Sequence, residues 1–137
     1  MKPMSAAERF FDTNVLLYLL SGDDFRADRA ESELSAGGVL SVQVLNEFAS
    51  VASRKLKMSI AEIREVLAAI RAVCKIVPLS EETHDLGLQV AERHGLAIYD
   101  AMIVASALLA GCRTVVSEDM QDRQILEGRL EVRNPFT

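Results

Sequence analysis

The chemically promising residues of this chain are acids set among apolar neighbours. Asp12 follows Phe10-Phe11 and precedes Val15-Leu16-Leu17, with Thr13 and Asn14 beside it. Glu47 lies between Val44 and Val51 at helical spacing, an expensive place for a carboxylate unless it is paired or bound to a cation. Asp100 opens the apolar run 101–110, and Asp119 and Asp122 follow Val115-Val116-Ser117. Carboxylates gathered at one place resist ionising together. A hard divalent cation, Mg²⁺ or Mn²⁺, reverses that cost, since it takes oxygen ligands and keeps several waters. A water polarised in this way and positioned by a further carboxylate is a nucleophile for phosphodiester hydrolysis. The residues for other chemistries are missing: there is no Cys-His cluster for zinc, no Gly-rich phosphate loop, and no evident Ser or Cys partner for His84 or His94.

The elements that must position these acids can be read from local pattern. Phe10-Phe11 reads as a short buried strand and Val15 to Leu20 as the first turns of a buried helix, so Asp12 falls at a strand-to-helix junction. Asp23 or Asp24 caps a second helix carrying Phe25, Ala30 and Leu34, which stops at Gly37-Gly38. Val39-Leu40 is a very short strand, and Ser41 caps a helix running to about Met58. Ser59-Ile60-Ala61-Glu62 has the form of a capping box and opens a helix with Ile60, Ile63, Leu67, Ile70 and Cys74 on one stripe. Lys75 to Leu79 is a strand with Pro78 near its end or on an edge, and Ser80 caps a helix ending at Gly95. Asp100 to Ala110 is a helix so apolar that it is buried nearly all round, with Asp100 placed to cap its first turn. Arg113 to Ser117 and Leu130 to Arg133 are strands, separated by a polar stretch with a helical turn at most. Alternation of strand and helix, without hairpin dipeptides such as Asn-Gly, predicts an α/β sandwich with a mostly parallel central sheet. In such a sheet Asp12, Asp100 and Asp119 all lie on the carboxyl edge, where ligands bind. Taken singly, each acid also has an ordinary role as a cap or a solvated loop residue.

At 137 residues the chain is expected to form a single domain over 1–137. Half of it is hydrophobic and 26% is charged, which fits a globular protein. No apolar run reaches the length of a membrane span and no signal peptide is evident, so the expected location is the cytoplasm, with Cys74 and Cys112 as buried thiols and the histidines at exposed helix positions. The net charge of −5 argues at first against a nucleic-acid partner. Setting aside Asp12, Glu47, Asp100, Asp119 and Asp122, however, leaves 15 acids (20 − 5) against 15 lysines and arginines, so the expectation is an acidity local to one site and answered by bound cations.

The same residues resemble a known family. Phe11-Asp12-Thr13-Asn14-Val15-Leu16 resembles the opening motif of PIN-domain nucleases, Leu45-Asn46-Glu47-Phe48 their second, Tyr99-Asp100-Ala101-Met102-Ile103-Val104-Ala105-Ser106-Ala107 their third and Ser117-Glu118-Asp119-Met120-Gln121-Asp122 their fourth. The tail Asn134-Pro135-Phe136 also fits, so the resemblance spans nearly the whole chain with its motifs in family order. A lone domain of this size is similar to the VapC-type toxins of toxin–antitoxin pairs. The resemblance implies a three-layer α/β/α fold, Mg²⁺- or Mn²⁺-dependent endoribonuclease activity, a homodimer, and an antitoxin that inserts into the active-site groove. It matches Asp12, Glu47, Asp100 and Asp119 to the family's acidic positions; the expected mechanism has Asp12, Asp100 and Asp119 holding one metal or two and Glu47 acting through a water. Asp122 matches a further acid of some members, Thr13 and Ser117 match hydroxyls near the site, and Asn14 would orient Asp12. Relatives often carry Gly after the acid matched by Asp122. Arg123 stands there in this chain and would stiffen the loop or supply a phosphate contact.

Arg54, Lys55 and Lys57, which follow Glu47 on its helix, and Arg123 are the candidate RNA phosphate contacts, although charged helix ends are commonly just solvated. The helices Val15–Leu20 and Phe25–Leu34 could supply a dimer or antitoxin face. Two rival functions remain at this point. A Mg²⁺-dependent phosphoryl-transfer domain also uses Asp on an α/β sheet, but a phosphatase of that kind wants a second Asp where Asn14 stands, and a receiver wants an acidic pair and a late lysine. A binding module of the same fold would use the acids only to dock a basic partner.

Overall fold

The computed structural model describes residues 8–137. The chain runs β1 (Arg9–Phe11), α1 (Thr13–Tyr18), α2 (Asp24–Ser35), β2 (Gly38–Ser41), α3 (Val42–Lys55), α4 (Ile60–Val73) and β3 (Cys74–Val77). It continues through α5 (Glu81–His94), α6 (Ile98–Leu109), β4 (Thr114–Val116), β5 (Ile125–Leu126) and β6 (Leu130–Arg133). The six strands form one sheet in the order β3-β2-β1-β4-β6-β5. Every neighbouring pair is parallel except β5 with β6. Phe10 sits opposite Val39 on one side and Val115 on the other, which makes β1 a central strand.

The order of the strands explains the layers. From β1 to β2 to β3 the chain steps one way across the sheet, and from β3 it returns past β1 to β4. Right-handed crossovers then place α1 to α4 on one face and α5 with α6 on the other. The packing agrees: α1, α2, α3 and α4 contact one another, and α5 contacts α6. The reversal of direction lies between β1 and β4, and at such a switch point a crevice opens at the carboxyl ends of the strands. Phe10 and Phe11 are fully buried and point to opposite faces of β1. Roughly 1.5–3 kcal/mol from each such burial holds the strand in place. The eight residues Ala101–Leu108 of α6 are all buried, as their composition requires.

The capping chemistry follows the sequence at most ends. Asp23 accepts from the Arg26 amide, Ser59 and Glu62 form the expected capping box, and Ser80 pairs reciprocally with Thr83. Gly95 ends α5 with φ 66°, a left-handed conformation that favours glycine. Several expectations need correction. Ser41 precedes α3 but makes no side-chain cap, and its hydroxyl is buried without a partner. Phe25 and Ile60 are 54% and 61% exposed, because they lie on the first turns of their helices, outside the buried stripes. Helix α6 begins at Ile98 rather than Asp100, which puts Asp100 inside the first turn instead of at the cap. The polar stretch after β4 holds strand β5, joined to β6 by a hairpin in which Glu127 (φ 51°) and Gly128 (φ 69°) are both left-handed. His94 is half-buried and meets Glu127 at 2.7 Å, so it ties α5 to that hairpin. Cys74 and Cys112 are buried and are not joined in a disulfide, and burial raises both thiol pKa values, that of Cys112 to about 11. Among the described residues no helix is long and apolar enough to cross a membrane.

Candidate active site: a carboxylate cleft at the switch point

Asp12 leaves β1 while its amide still donates to the Val116 carbonyl at 3.0 Å, so the β1–β4 ladder fixes its backbone. Its side chain caps α1, accepting from the Thr13 amide at 2.7 Å, and takes a second bond from the Ser117 hydroxyl at 2.8 Å. Burial pushes the Asp12 pKa up to about 6. The Ser117 and Thr13 hydrogen bonds oppose that rise, and repulsion from Asp119 and Asp100 adds to it.

Glu47, half-buried on α3, is gripped at both oxygens. The Thr13 hydroxyl donates to Oε2 at 2.8 Å and the Gln43 amide donates to Oε1 at 2.9 Å. Gln43 Nε2 also lies 3.5 Å from the Tyr99 carbonyl, which links α3 to the turn that carries Asp100. Asp100 is half-buried, and its pKa is raised by burial first and then by Asp119 and Glu47. Asn14 braces the other wall. Its Nδ2 lies 3.1 Å from Asp119 Oδ2, 3.2 Å from Ser117 Oγ and 3.4 Å from Asp12 Oδ2, and its Oδ1 accepts from the Glu118 amide at 3.2 Å. The Asp119 amide in turn donates to Ser117 Oγ at 3.1 Å. Thr13, Asn14 and Ser117 thus stand where they hold the acids, with Asn14 closer to Asp119 than to Asp12.

Asp12, Glu47, Asp100 and Asp119 line one cleft of about 270 Å³ with Thr13 and Asn14. Arg54 and Ser50 also line it, with Arg54 Nε donating to Ser50 Oγ at 3.1 Å. Tyr99 stands on the rim, 71% exposed. The other candidates lie elsewhere. Lys55 and Lys57 are exposed at the end of α3 and do not line the cleft. Asp122 turns away: its carboxylate accepts from the Asn134 amide at 2.8 Å, and with Arg123 it lines a second cavity. The loop bends between Asp119 and Asp122, so two acids close in sequence face different spaces. Gln43, Ser50 and Tyr99 were not singled out by sequence. Gln43 and Ser50 had a signal, since they stand four residues before and three residues after Glu47 on one helix face; Tyr99 had none.

Among the described residues no three acids, histidines or cysteines stand close enough together to share one ion as their side chains lie. The donor chemistry nonetheless fits a hard cation. The cleft brings four carboxylates together with the hydroxyls of Thr13 and Ser50 and has no thiol or imidazole in its lining, and two of its acids are held back from ionising by burial and repulsion from neighbouring acids. Mg²⁺ or Mn²⁺ would relieve that repulsion and takes such ligands.

Comparison with solved structures shows the same fold. The chain is similar to a toxin–antitoxin complex from Klebsiella pneumoniae, with 22% identity, TM-score 0.70 and coverage of 93% of this chain and 97% of that one. It is similar to VapC20 of Mycobacterium tuberculosis, described as a sarcin-ricin loop cleaving toxin, with 19% identity, TM-score 0.63 and coverage of 78% and 86%. It is also similar to VapBC2 from Rickettsia felis bound to a promoter DNA fragment, with 20% identity, TM-score 0.63 and coverage of 92% and 98%. A search of curated protein sequences gave no match. A family model for the PIN domain matches residues 9–125, from β1 into β5 and across all four cleft acids. On that match the chain belongs to the PIN-domain family.

Proposed function

We propose that this chain is a Mg²⁺- or Mn²⁺-dependent endoribonuclease and the toxin of a type II toxin–antitoxin pair. The observation that carries the reading is the convergence of Asp12, Glu47, Asp100 and Asp119, from four separate places in the chain, on one cleft at the sheet's switch point. Asp12, Asp100 and Asp119 would hold the cation, which supplies neutralisation of the phosphate's charge and acidification of water. Glu47 keeps free lone pairs on both oxygens beside the bonds from Thr13 and Gln43, so it can orient a water and accept its proton. The water oxygen adds to phosphorus, the bond from phosphorus to the leaving ribose oxygen breaks, and that oxygen takes a proton from solvent. Arg54 would contact a phosphate and the exposed Tyr99 ring offers a face for a base.

A protein partner has a surface to use. Leu19, Leu20, Leu34, Val66, Ile70 and Val73 line an apolar groove of about 460 Å³ between the first helices and α4. An apolar segment of an antitoxin fits it, and several structures of this fold are toxin–antitoxin complexes. A second copy of this chain would form the homodimer.

The test is cleavage of a labelled RNA by the purified chain with Mn²⁺, with Mg²⁺ and with EDTA, alongside Asp100→Asn. Cleavage should require the cation and fall at least a hundredfold in Asp100→Asn, with the melting profile retained. Tight RNA binding with no cleavage under any cation would instead identify a binding module.

A further inference from the structure

The second cavity, of about 360 Å³, is lined by arginines from three elements: Arg29 of α2, Arg123 of the β4–β5 loop and Arg133 at the end of β6. Such a convergence is unexpected on a chain of net charge −5. Two acids, Asp122 and Glu131, share the lining, and the Asp122 carboxylate accepts from the Asn134 amide; Arg133 is paired with Glu33 at 2.7 Å, which leaves Arg29 and Arg123 as the cations to consider. Arg29 and Arg123 have no carboxylate at ion-pair distance among the described residues, and Arg29 only leans over the Phe25 ring, 5.9 Å away. Arg123 also holds φ 68°, where a side chain strains the backbone and glycine does not.

Position gives the cavity its meaning. β6 lies parallel to β4 and next to it, so Arg133 at its carboxyl end shares the sheet edge with Asp12 and Asp119, one strand farther along. The loop after β4 separates the two spaces, with Asp119 lining the cleft and Asp122 and Arg123 lining the cavity. A polyanion approaching four carboxylates needs positive charge beside them, and an arginine fork matches phosphate oxygens.

We infer that this cavity is a second phosphate site, holding through Arg29 and Arg123 a phosphodiester of the same RNA strand that enters the cleft. The inference rests on the nuclease reading and extends it to how the strand is held.

The experiment is binding of a fluorescent single-stranded oligoribonucleotide to the whole chain in EDTA over a salt series. Arg29→Ala and Arg123→Gly are compared with the parent and with Arg64→Ala on the exposed face of α4. The salt slope of log K should shrink by about 0.7 for each cavity arginine removed, with several-fold weaker binding, and stay at the parent value for Arg64→Ala. Arg123→Gly relieves the backbone, so it should melt no lower than the parent, which separates a lost contact from misfolding. Unchanged slopes in both cavity variants, with a parent that binds and cuts RNA, would overturn the phosphate site and leave the nuclease reading standing. A parent that neither binds nor cuts RNA overturns both. Arginine-dependent binding of poly-glutamate or inorganic phosphate, with the RNA slope unchanged, would assign the cavity to an acidic protein segment or a free ion and overturn the inference.

Discussion

Glu47 shows how much of a cleft carboxylate's setting is decided by its neighbours. An acid on a helix between Val44 and Val51 is costly to bury, and the structure offsets the cost with one donor on each oxygen, Thr13 and Gln43. Gln43 also reaches toward the Tyr99 carbonyl, so it spans the two walls that carry Glu47 and Asp100. A hydrogen bond to a charged group contributes about 1.5 kcal/mol or more, which corresponds to roughly tenfold in rate if it acts through the geometry of the base. Gln43→Leu should therefore lower kcat by about tenfold with KM little changed, measured by single-turnover cleavage of a saturating RNA. A rise in KM alone would make Gln43 part of substrate binding instead.

At the scale of elements, the cleft depends on how closely β1 and β2 approach. Gly38 opens β2, and a Cβ built there would overlap the Phe11 ring and lie 3.0 Å from the Arg9 carbonyl. Phe11 is fully buried and immediately precedes Asp12, so it has little room to yield. Gly38→Ala should cost about 1–3 kcal/mol in denaturant unfolding, the usual range for overpacking. It should also depress cleavage more than the stability loss explains. Gly22→Ala, with nothing within 4 Å of the added carbon, is the matched control. Sequence showed Gly38 only as part of a helix stop. Its closeness to Phe11 depends on strand pairing, which joins residues far apart in the chain. The β5–β6 hairpin was missed for a similar reason: its turn uses Glu127 in a left-handed conformation, braced by Arg93 and His94 of α5, and not an Asn-Gly pair.

For the whole molecule, the carboxylates couple folding to pH and, on the proposed reading, to cations. Asp12 keeps its proton to about pH 6 when folded, against an ordinary value of 3.8. The folded chain therefore holds that proton more tightly than the unfolded one. The stability this lends is full below about pH 4 and is lost as pH rises through about 6, at roughly 1.4 kcal/mol per unit of difference. In EDTA the melting temperature should carry a component that falls across that window, and Asp12→Asn should flatten it. Mn²⁺ added at pH 7 should raise the melting temperature of the parent, by about 2.7 kcal/mol of stability at a hundredfold excess over Kd, and should do much less for Asp12→Asn. A parent melt indifferent to Mn²⁺ would count against the cation.

What the sequence determined by itself is local. The short strands, most of the helices with their caps, and the placing of Asp12 and Asp119 after strands follow from periodicity and from side chains that bond to their own backbone. The α/β class follows from alternation alone. What tertiary structure decided is which distant groups meet. Strand order set the switch point between β1 and β4 and brought Glu47 and Asp100 to face Asp12, whereas a bend in one loop sent Asp122 to Asn134 and Arg123 into a separate cavity. Spacing along a chain carries no information about the direction a loop takes after it leaves the sheet, since that direction is fixed by partners far away in sequence.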